Sequence, residues 1–254
     1  MIKVPCVIEK EIKFEDWFRK INIYLPSTYS DNTKLPVIYA YDGNNLYDPS
    51  MGLSGYSWDV LNTMESLIKE NVTKGYVVVG LYNSKDWLLE YAPVAYKEPY
   101  KKFTKNDKNE ITGDKTLSFL RVVMDYIEKN YNISSERYIM GSSCGGNMSL
   151  YTIIKYSDLF KGAGVFSIAS NLLDDSYKEM ILKSNLNSNH LIYNYMGSKE
   201  RNTKESDIIN KLLLEKEVVN KYEVGKGMPH SEKAWALYFP NFIRFIEDNK
   251  KVVS

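Results

Sequence analysis

The most restrictive feature of the sequence is the run Tyr-Ile-Met-Gly-Ser-Ser-Cys-Gly-Gly at positions 138–146. An apolar segment leads into it and a helix-compatible segment follows, so it predicts a sharp turn between a buried strand and a helix. Its Gly-x-Ser-x-Gly pattern places Gly141 and Gly145 two residues on either side of Ser143. Such a turn strains the backbone of its central residue and leaves space only for small neighbours. Ser143 is therefore a candidate nucleophile.

Cys144, the residue after this serine, is the alternative nucleophile. A turn centred on Cys144 would place Ser142 and Gly146 at the two tight positions, where serine fits less well than glycine. We therefore expect Cys144 to lend its backbone N–H to an oxyanion hole, while its thiol packs as a small apolar group. A glycine-rich turn that merely joins a strand to a helix is the remaining alternative.

Short apolar runs alternate with amphipathic segments along the chain. Most runs are continuously apolar, which is typical of parallel strands covered on both faces. The predicted strands are 3–13 and 18–26, an antiparallel pair, then 35–41, 76–82, 138–140, 162–169, 191–195 and 218–224. The predicted helices are 116–130, 148–156, 205–215 and 235–248. This order predicts an α/β fold, a mostly parallel central sheet of about eight strands with helices on both faces.

No internal repeat, low-complexity tract or linker divides the chain, so residues 1–254 are expected to form a single domain. The polar stretch 101–114 is expected to be a surface loop.

The charge balance and the missing motifs narrow the function classes. Lys and Arg total 33 against 32 Asp and Glu, which gives a formal charge of +1. A protein with so little net charge does not attract polyanions over long distances, so no nucleic-acid partner is expected. The sequence has no apolar run long enough for a signal peptide or a membrane span, which predicts a cytoplasmic protein with no membrane partner. We expect no bound metal, because the chain has only two histidines and two cysteines that lie far apart. We expect no cofactor, because the sequence has no phosphate-binding or dinucleotide-binding motif.

The two histidines can be told apart by their position relative to strands. His190 directly precedes a predicted strand, which places it at the amino edge of the sheet, whereas ligands bind at the carboxyl edge. His230 follows the last predicted strand, where the base lies in the chain order serine, acid, histidine. His230 is therefore the predicted general base.

Three motifs in order resemble a known family of esterases. They are 42–48 after the first parallel strand, the turn 141–146, and His230-x-Glu232-x-x-Trp235. Together they are similar to esterases of the esterase D and enterochelin esterase type, which are related to feruloyl and acetylxylan esterases. The resemblance runs from about Ile21 to Ile246. It implies the α/β-hydrolase fold without a large lid domain, and acyl chemistry on an unspecified ester.

The resemblance also implies the remaining site residues. It places a second oxyanion donor just past Gly43, which is the backbone N–H of Asn44. The segment 196–200 is similar to the family's Gly-x-x-acid turn, usually completed by aspartate, so Glu200 is the expected triad acid. Glu205 and Asp207 follow closely and are expected on a solvated helix face. Some members of the family are thought to work without a well-placed acid.

Several aromatic residues fall near loops that could surround the site, where they could hold an aryl group or a sugar or else pack the core. They are Tyr47, Trp58, Trp87, Tyr91 and Trp235. The family often has an arginine in the segment 83–91, where this chain has only Lys85 as a basic residue.

Taken together, the sequence predicts a serine carboxylic-ester hydrolase. Ser143 is the expected nucleophile, His230 the base and Glu200 the acid, acting on a small-molecule or carbohydrate-linked ester. Two alternatives stay open: an acyltransferase that uses the same site, and a hydrolase-fold binding protein without catalysis.

Overall fold

A single eight-stranded sheet organises residues 2–104 and 112–250, which this computed structural model describes. The sheet order is β1-β2-β4-β3-β5-β6-β7-β8. β2 runs antiparallel to β1 and β4, and the strands from β4 to β8 are parallel. The strands are β1 Cys6–Phe14, β2 Trp17–Leu25, β3 Leu35–Ala40, β4 Val77–Leu81, β5 Ile133–Ser142, β6 Gly162–Phe166, β7 Leu191–Gly197 and β8 Val219–Gly225. The predicted α/β fold with a mostly parallel sheet is confirmed.

Helices cover both faces of this sheet. They are α1 Val60–Lys69, α2 Trp87–Glu90, α3 Gly113–Asn130, α4 Cys144–Lys155, α5 Ser176–Lys183, α6 Thr203–Glu215 and α7 Glu232–Asn249. Apolar residues of α1 and α7 share one buried cluster with one face of the strands, and those of α3 to α6 share the other. β4, β6 and β7 are buried along their whole length, which explains why their sequences are continuously apolar.

Some predicted bounds were wrong, and the backbone gives the reasons. The strand predicted over 162–169 ends at Phe166, because Ser167 has a φ of 49° and leaves the extended conformation. β5 begins at Ile133, earlier than predicted, because its first half is only partly buried and therefore partly polar. Tyr100–Thr104 forms a short 3-10 helix and α3 starts at Gly113, while residues 105–111 of the predicted loop lie outside the described residues.

The sheet brings the loops after its six parallel strands to one edge. β3 lies between β4 and β5, so the chain leaves β3 on one side and later returns on the other. Ligands of open α/β sheets bind at the carboxyl edge near such a switch point. Of these loops, the ones after β3, β5, β7 and β8 carry the predicted site residues.

Candidate active site

The turn between β5 and α4 holds Ser143 in the strained conformation that its sequence predicts. Ser143 has φ 55° and ψ −121°, and its backbone N–H donates to Phe166 O at 2.8 Å. A Cβ on Gly141 would lie 2.6 Å from Gly145 O, so the helix approaches the strand too closely for any side chain there. A non-glycine residue at such angles costs about 1–3 kcal/mol and persists only where its surroundings impose it.

His230 and Glu200 are directly hydrogen-bonded. Nδ1 of His230 lies 2.7 Å from Oε2 of Glu200, across the loops that follow β8 and β7. The Glu200 side chain is 1% exposed and that of His230 is 42% exposed, so the acid is buried and the imidazole opens to solvent. An ionised carboxylate only accepts, so the proton between them belongs to Nδ1 and Nε2 is left as an acceptor.

Two further donors hold the other oxygen of Glu200. Gly197 N–H and the Ser167 hydroxyl both reach Oε1 at 2.7 Å. The Ser167 oxygen in turn accepts from Nε1 of Trp235 at 2.8 Å. Trp235 also presents its ring edge-to-face to His230, with ring centroids 5.1 Å apart at 86°.

The two predicted oxyanion donors lie on neighbouring loops of the same cavity. Cys144 is the first residue of α4, where backbone N–H groups have no partner within the helix. Asn44 lies in the short 3-10 helix Gly43–Asn45 directly after β3. Both residues line the cavity that also contains Ser143 and His230. The positive end of α4 adds to the preference for negative charge at this point.

The loop that carries Asn44 is fixed from three sides. The buried Asn22 side chain on β2 donates to Gly43 O at 2.5 Å, and Tyr91 OH accepts from Asp42 N–H at 3.0 Å. A Cβ on Gly43 would lie 2.3 Å from the Gly80 carbonyl carbon, so the loop packs directly on β4. Because Gly43 C=O and Asn44 N–H belong to one planar peptide, the bond from Asn22 also orients the Asn44 N–H.

The cavity over Ser143 has a volume of about 370 Å³. Its walls combine apolar side chains with a few polar groups, as small-molecule sites do. Besides the residues already placed in it, the lining includes Asp42, Asn45, Met51, Leu53, Ser54, Asn83, Trp87, Tyr91, Ser142, Gly145, Glu232 and Trp235.

A flap formed by residues 51–54 makes one rim of this cavity, and Glu232 holds it. The Glu232 carboxylate accepts from Leu53 N–H at 2.9 Å, from Ser54 N–H at 3.1 Å and from the Ser54 hydroxyl. Glu232 is 2% exposed, whereas Leu53 is 98% exposed. The first residue of α7, two positions after His230, thus ties the flap to the site.

Asp42 is an acidic group within the same cavity. Its Oδ1 accepts from Nδ2 of Asn83 at 2.8 Å, and a Cβ on Gly145 would lie 2.7 Å from its Oδ2. Desolvation raises the pKa of this carboxyl to about 7, although the bonds from Asn83 and Tyr91 oppose the shift. Asp42 therefore titrates near neutral pH.

The Cys144 thiol is packed as a small apolar group, as the sequence predicted. The residue is 2% exposed, and burial raises the pKa of its thiol to about 12, with the Asp42 charge adding to the effect. Because the thiolate is the nucleophilic form of cysteine, a thiol that stays protonated is a poor rival to Ser143.

The other sequence candidates lie away from the site or support it. His190 is buried at the amino edge of β7, where its Nε2 lies 3.1 Å from Ser157 O. Glu205 pairs with Lys178, and Asp207 is exposed and accepts from Tyr222 OH. Of the five aromatic candidates, Trp87, Tyr91 and Trp235 line the cavity, whereas Trp58 and Tyr47 pack in or against the core. Lys85 is not part of the cavity lining.

Four residues of the site have no role in the sequence analysis. Asn22, Asp42, Ser167 and Glu232 act through partners at least twenty residues away along the chain. Ser167 fell inside the strand predicted over 162–169, so no local signal placed it at the carboxyl edge, whereas Asp42 directly follows the strand predicted over 35–41.

Neither a membrane-spanning helix nor a metal cluster is found where the structure describes the chain. In residues 2–104 and 112–250, no helix is long and apolar enough to cross a bilayer. No group of three or more His, Cys, Asp or Glu side chains in those ranges is arranged to hold a metal ion.

Comparison with known proteins shows which family and which fold this chain is similar to. A family model described as "Putative esterase" matches residues 15–241. The chain is 25% identical over 247 residues to the uncharacterized protein YbbA of Bacillus subtilis (strain 168), covering 90% of this chain and 92% of that protein.

Among solved structures, two illustrate the similarity. The BES protein from Bacillus cereus aligns with a TM-score of 0.74 at 17% identity, covering 97% of this chain and 96% of that one. A CE1 ferulic acid esterase from Anaeromyces mucronatus, AmCE1/Fae1A, in complex with ferulic acid, aligns with a TM-score of 0.68 at 22% identity, covering 96% and 91%. At these identities the likeness shows that the α/β-hydrolase fold is shared.

Proposed function

We propose that this chain, which belongs to the "Putative esterase" family, hydrolyses carboxylic esters through a covalent acyl-enzyme on Ser143. Family membership makes the chain a carboxylic ester hydrolase, and the serine mechanism is the part that we propose. The observation that carries it is the buried Glu200 carboxylate bonded to His230 Nδ1 at 2.7 Å, with His230 and the strained Ser143 lining one cavity. These contacts support a triad of serine, histidine and acid.

In the acylation step, the Ser143 oxygen attacks the ester carbonyl carbon and its proton passes to Nε2 of His230. The imidazolium that forms is stabilised by Glu200, which also fixes the ring orientation. When the carbon–oxygen bond to the alcohol breaks, Nε2 returns the proton to the departing oxygen. The alcohol leaves and the acyl group remains on Ser143.

In the deacylation step, water takes the place of the alcohol. His230 removes a proton from the water as its oxygen attacks the acyl carbon, and the bond to Ser143 then breaks. The same proton returns to the serine oxygen, which restores the enzyme and releases the acid.

The backbone N–H groups of Asn44 and Cys144 would bind the oxyanion formed in each step. Removing one such donor costs about 3–4 kcal/mol of transition-state stabilisation in comparable sites. Two donors from separate loops, after β3 and β5, converge on the cavity only because these strands are neighbours in the sheet.

The shape of the cavity favours a small-molecule ester or the ester end of a carbohydrate-linked one. A volume of about 370 Å³ is at the lower end of ligand pockets, and Trp87, Tyr91 and Trp235 offer flat apolar surfaces. The similar fungal esterase was solved in complex with ferulic acid, which has a flat aromatic ring. We therefore include short aryl esters among the substrates to test.

The test is hydrolysis of p-nitrophenyl acetate and longer p-nitrophenyl esters by the wild type and by Ser143→Ala. We expect the variant to lose activity by several orders of magnitude, since the covalent step is removed. Ser142→Ala, the neighbouring serine, is the matched control and should still react with a fluorophosphonate probe. Equal rates for the wild type and Ser143→Ala, or no probe labelling of a folded wild type, would refute the serine mechanism.

A further inference from the structure

The strongest unassigned feature is a buried hydrogen-bond relay that ends on the triad acid. It runs from Nε1 of Trp235 to the Ser167 hydroxyl at 2.8 Å, and from Ser167 to Oε1 of Glu200 at 2.7 Å. All three residues are shielded from solvent: counted with their backbone, Ser167 is 0%, Trp235 5% and Glu200 8% exposed.

Chemistry fixes the direction of this relay. An indole N–H only donates, so the Ser167 oxygen must accept from Trp235. The single hydroxyl proton of Ser167 is then free to point only at Glu200, which as a carboxylate only accepts. The relay therefore delivers one donor to Oε1 in one orientation.

The relay decides which oxygen of Glu200 faces the base. Oε1 accepts from Ser167 and from Gly197 N–H, so the carboxylate plane is held at one end by two donors. Oε2 is thereby left to accept from Nδ1 of His230 at 2.7 Å. A carboxylate free to rotate would spend part of its time with this bond broken and the imidazole misoriented.

Glutamate has a greater need for such support than aspartate would have. Its side chain has one more rotatable bond, and fixing each bond costs conformational entropy. Ser167 itself is held in place: its φ is 49°, and its N–H donates to Tyr195 O at 2.7 Å. Ser167 is absent from the cavity lining, so it cannot act through contact with a substrate.

We propose that Ser167, oriented by Trp235, is a positioning residue that holds Glu200 in the rotamer required to orient His230. The inference rests on the proposed serine mechanism. It predicts that the Ser167 hydroxyl acts on the chemical step and leaves substrate binding alone.

The first test compares kcat and KM of Ser167→Ala and Trp235→Phe with the wild type on p-nitrophenyl acetate. Each variant removes one donor of the relay, and we expect kcat to fall about tenfold in both. KM should change little in Ser167→Ala, because Ser167 does not line the cavity, whereas Trp235→Phe alters a cavity wall and is compared by kcat alone. Ser170→Ala is the matched control for the serine, because Ser170 is also buried after β6 and its hydroxyl has no partner in the described structure. Trp58→Phe is the matched control for the indole, because its buried Nε1 likewise has no partner there.

The second test separates positioning from a merely structural role. If Ser167 acts through Glu200, Ser167→Ala should cost less than about twofold in a Glu200→Ala background. Losses that multiply in the double variant, or a kcat of Ser167→Ala within twofold of the wild type, would overturn the proposal. Thermal unfolding of every variant shows whether a loss of activity comes from misfolding. If it does, the comparison of the double variant with Glu200→Ala decides between the two roles. Activity that survives Ser143→Ala would instead overturn the serine mechanism itself, and the relay proposal with it.

Discussion

Asn22 illustrates how a residue far from the chemistry can shape the site. It lies on an antiparallel strand, and its amide reaches the carbonyl of the same peptide unit whose N–H is the proposed oxyanion donor. Its own Oδ1 has no partner in the described structure. The bond to Gly43 O is therefore the contact by which this buried side chain acts on the loop that carries Asn44.

Replacing Asn22 with leucine should weaken oxyanion binding. The shape is nearly preserved, but Gly43 O loses its donor and the Gly43–Asn44 peptide gains freedom to rotate. We expect kcat to fall about tenfold and a boronic acid transition-state analogue to bind more weakly by a similar factor. Unchanged inhibition by the boronic acid would show that the Asn22 bond does not support the oxyanion donor.

Asp42 makes the stability of the protein depend on pH. Its carboxyl has a pKa near 3.8 when unperturbed and about 7 in the folded state, so the folded protein binds this proton more tightly. Ionisation of Asp42 therefore costs folding free energy as pH rises from about 4 to about 7, and the cost is complete above that range.

Replacing Asp42 with asparagine should remove this cost while keeping an acceptor for Asn83. The gain in thermal unfolding temperature over the wild type should be small at about pH 4 and reach its full value at about pH 8. Unfolding scans at these two values test the prediction. A gain that is equal at both values would contradict the assigned titration.

At the scale of elements, the N-terminus of α7 links the base to the cavity rim. Ser231 caps this helix, with its hydroxyl oxygen accepting from Ala234 N–H at 3.4 Å, and His230 lies directly before the cap. Glu232 at the first helical position holds the flap 51–54. One helix start thus sets the position of both the base and the rim.

Replacing Glu232 with glutamine should loosen this flap. An amide has one acceptor oxygen in place of two, so it cannot accept from Leu53 and Ser54 as the carboxylate does. Hydrogen exchange at the amides of Leu53 and Ser54 should become faster, and KM for short esters should rise a few-fold. Exchange rates equal to those of the wild type would show that other contacts hold the flap.

Most elements with a local signal were predicted, but α1 was missed although its buried Val60, Met64 and Leu67 form an amphipathic stripe. Continuous apolar runs located the parallel strands, and the amphipathic stripe of α3 located that helix. The short α5 was missed because only Tyr177 and Ile181 in it are buried, which is too few for a periodic pattern. The Ser167 relay could not be predicted, because its bonds join residues 33 and 68 positions apart.

For the whole molecule, the sheet edge is the organising feature. Asn44, Ser143, Ser167, Glu200 and His230 come from the loops after five neighbouring strands, so the site exists only when the sheet from β3 to β8 is assembled. The order serine, acid, histidine was readable from the sequence, whereas the convergence of these loops depends on strand order.

We therefore predict that the site and the fold are lost together. Urea unfolding followed by circular dichroism and by fluorophosphonate labelling should give coincident transitions, as expected for a single domain. Labelling that disappears well before the secondary structure would show that the site unfolds separately and would contradict a single cooperative domain.

The exposed ring of His230 bears on how the proposed acyl-enzyme would divide between water and an alcohol as acceptors. With 42% of this side chain open to solvent, bulk water reaches the proposed base directly. An alcohol would compete with water for the acyl group only by binding in the cavity, so the share that it receives would depend on its affinity for the cavity. Partitioning should therefore follow acceptor concentration, with the free acid as the main product in dilute aqueous solution.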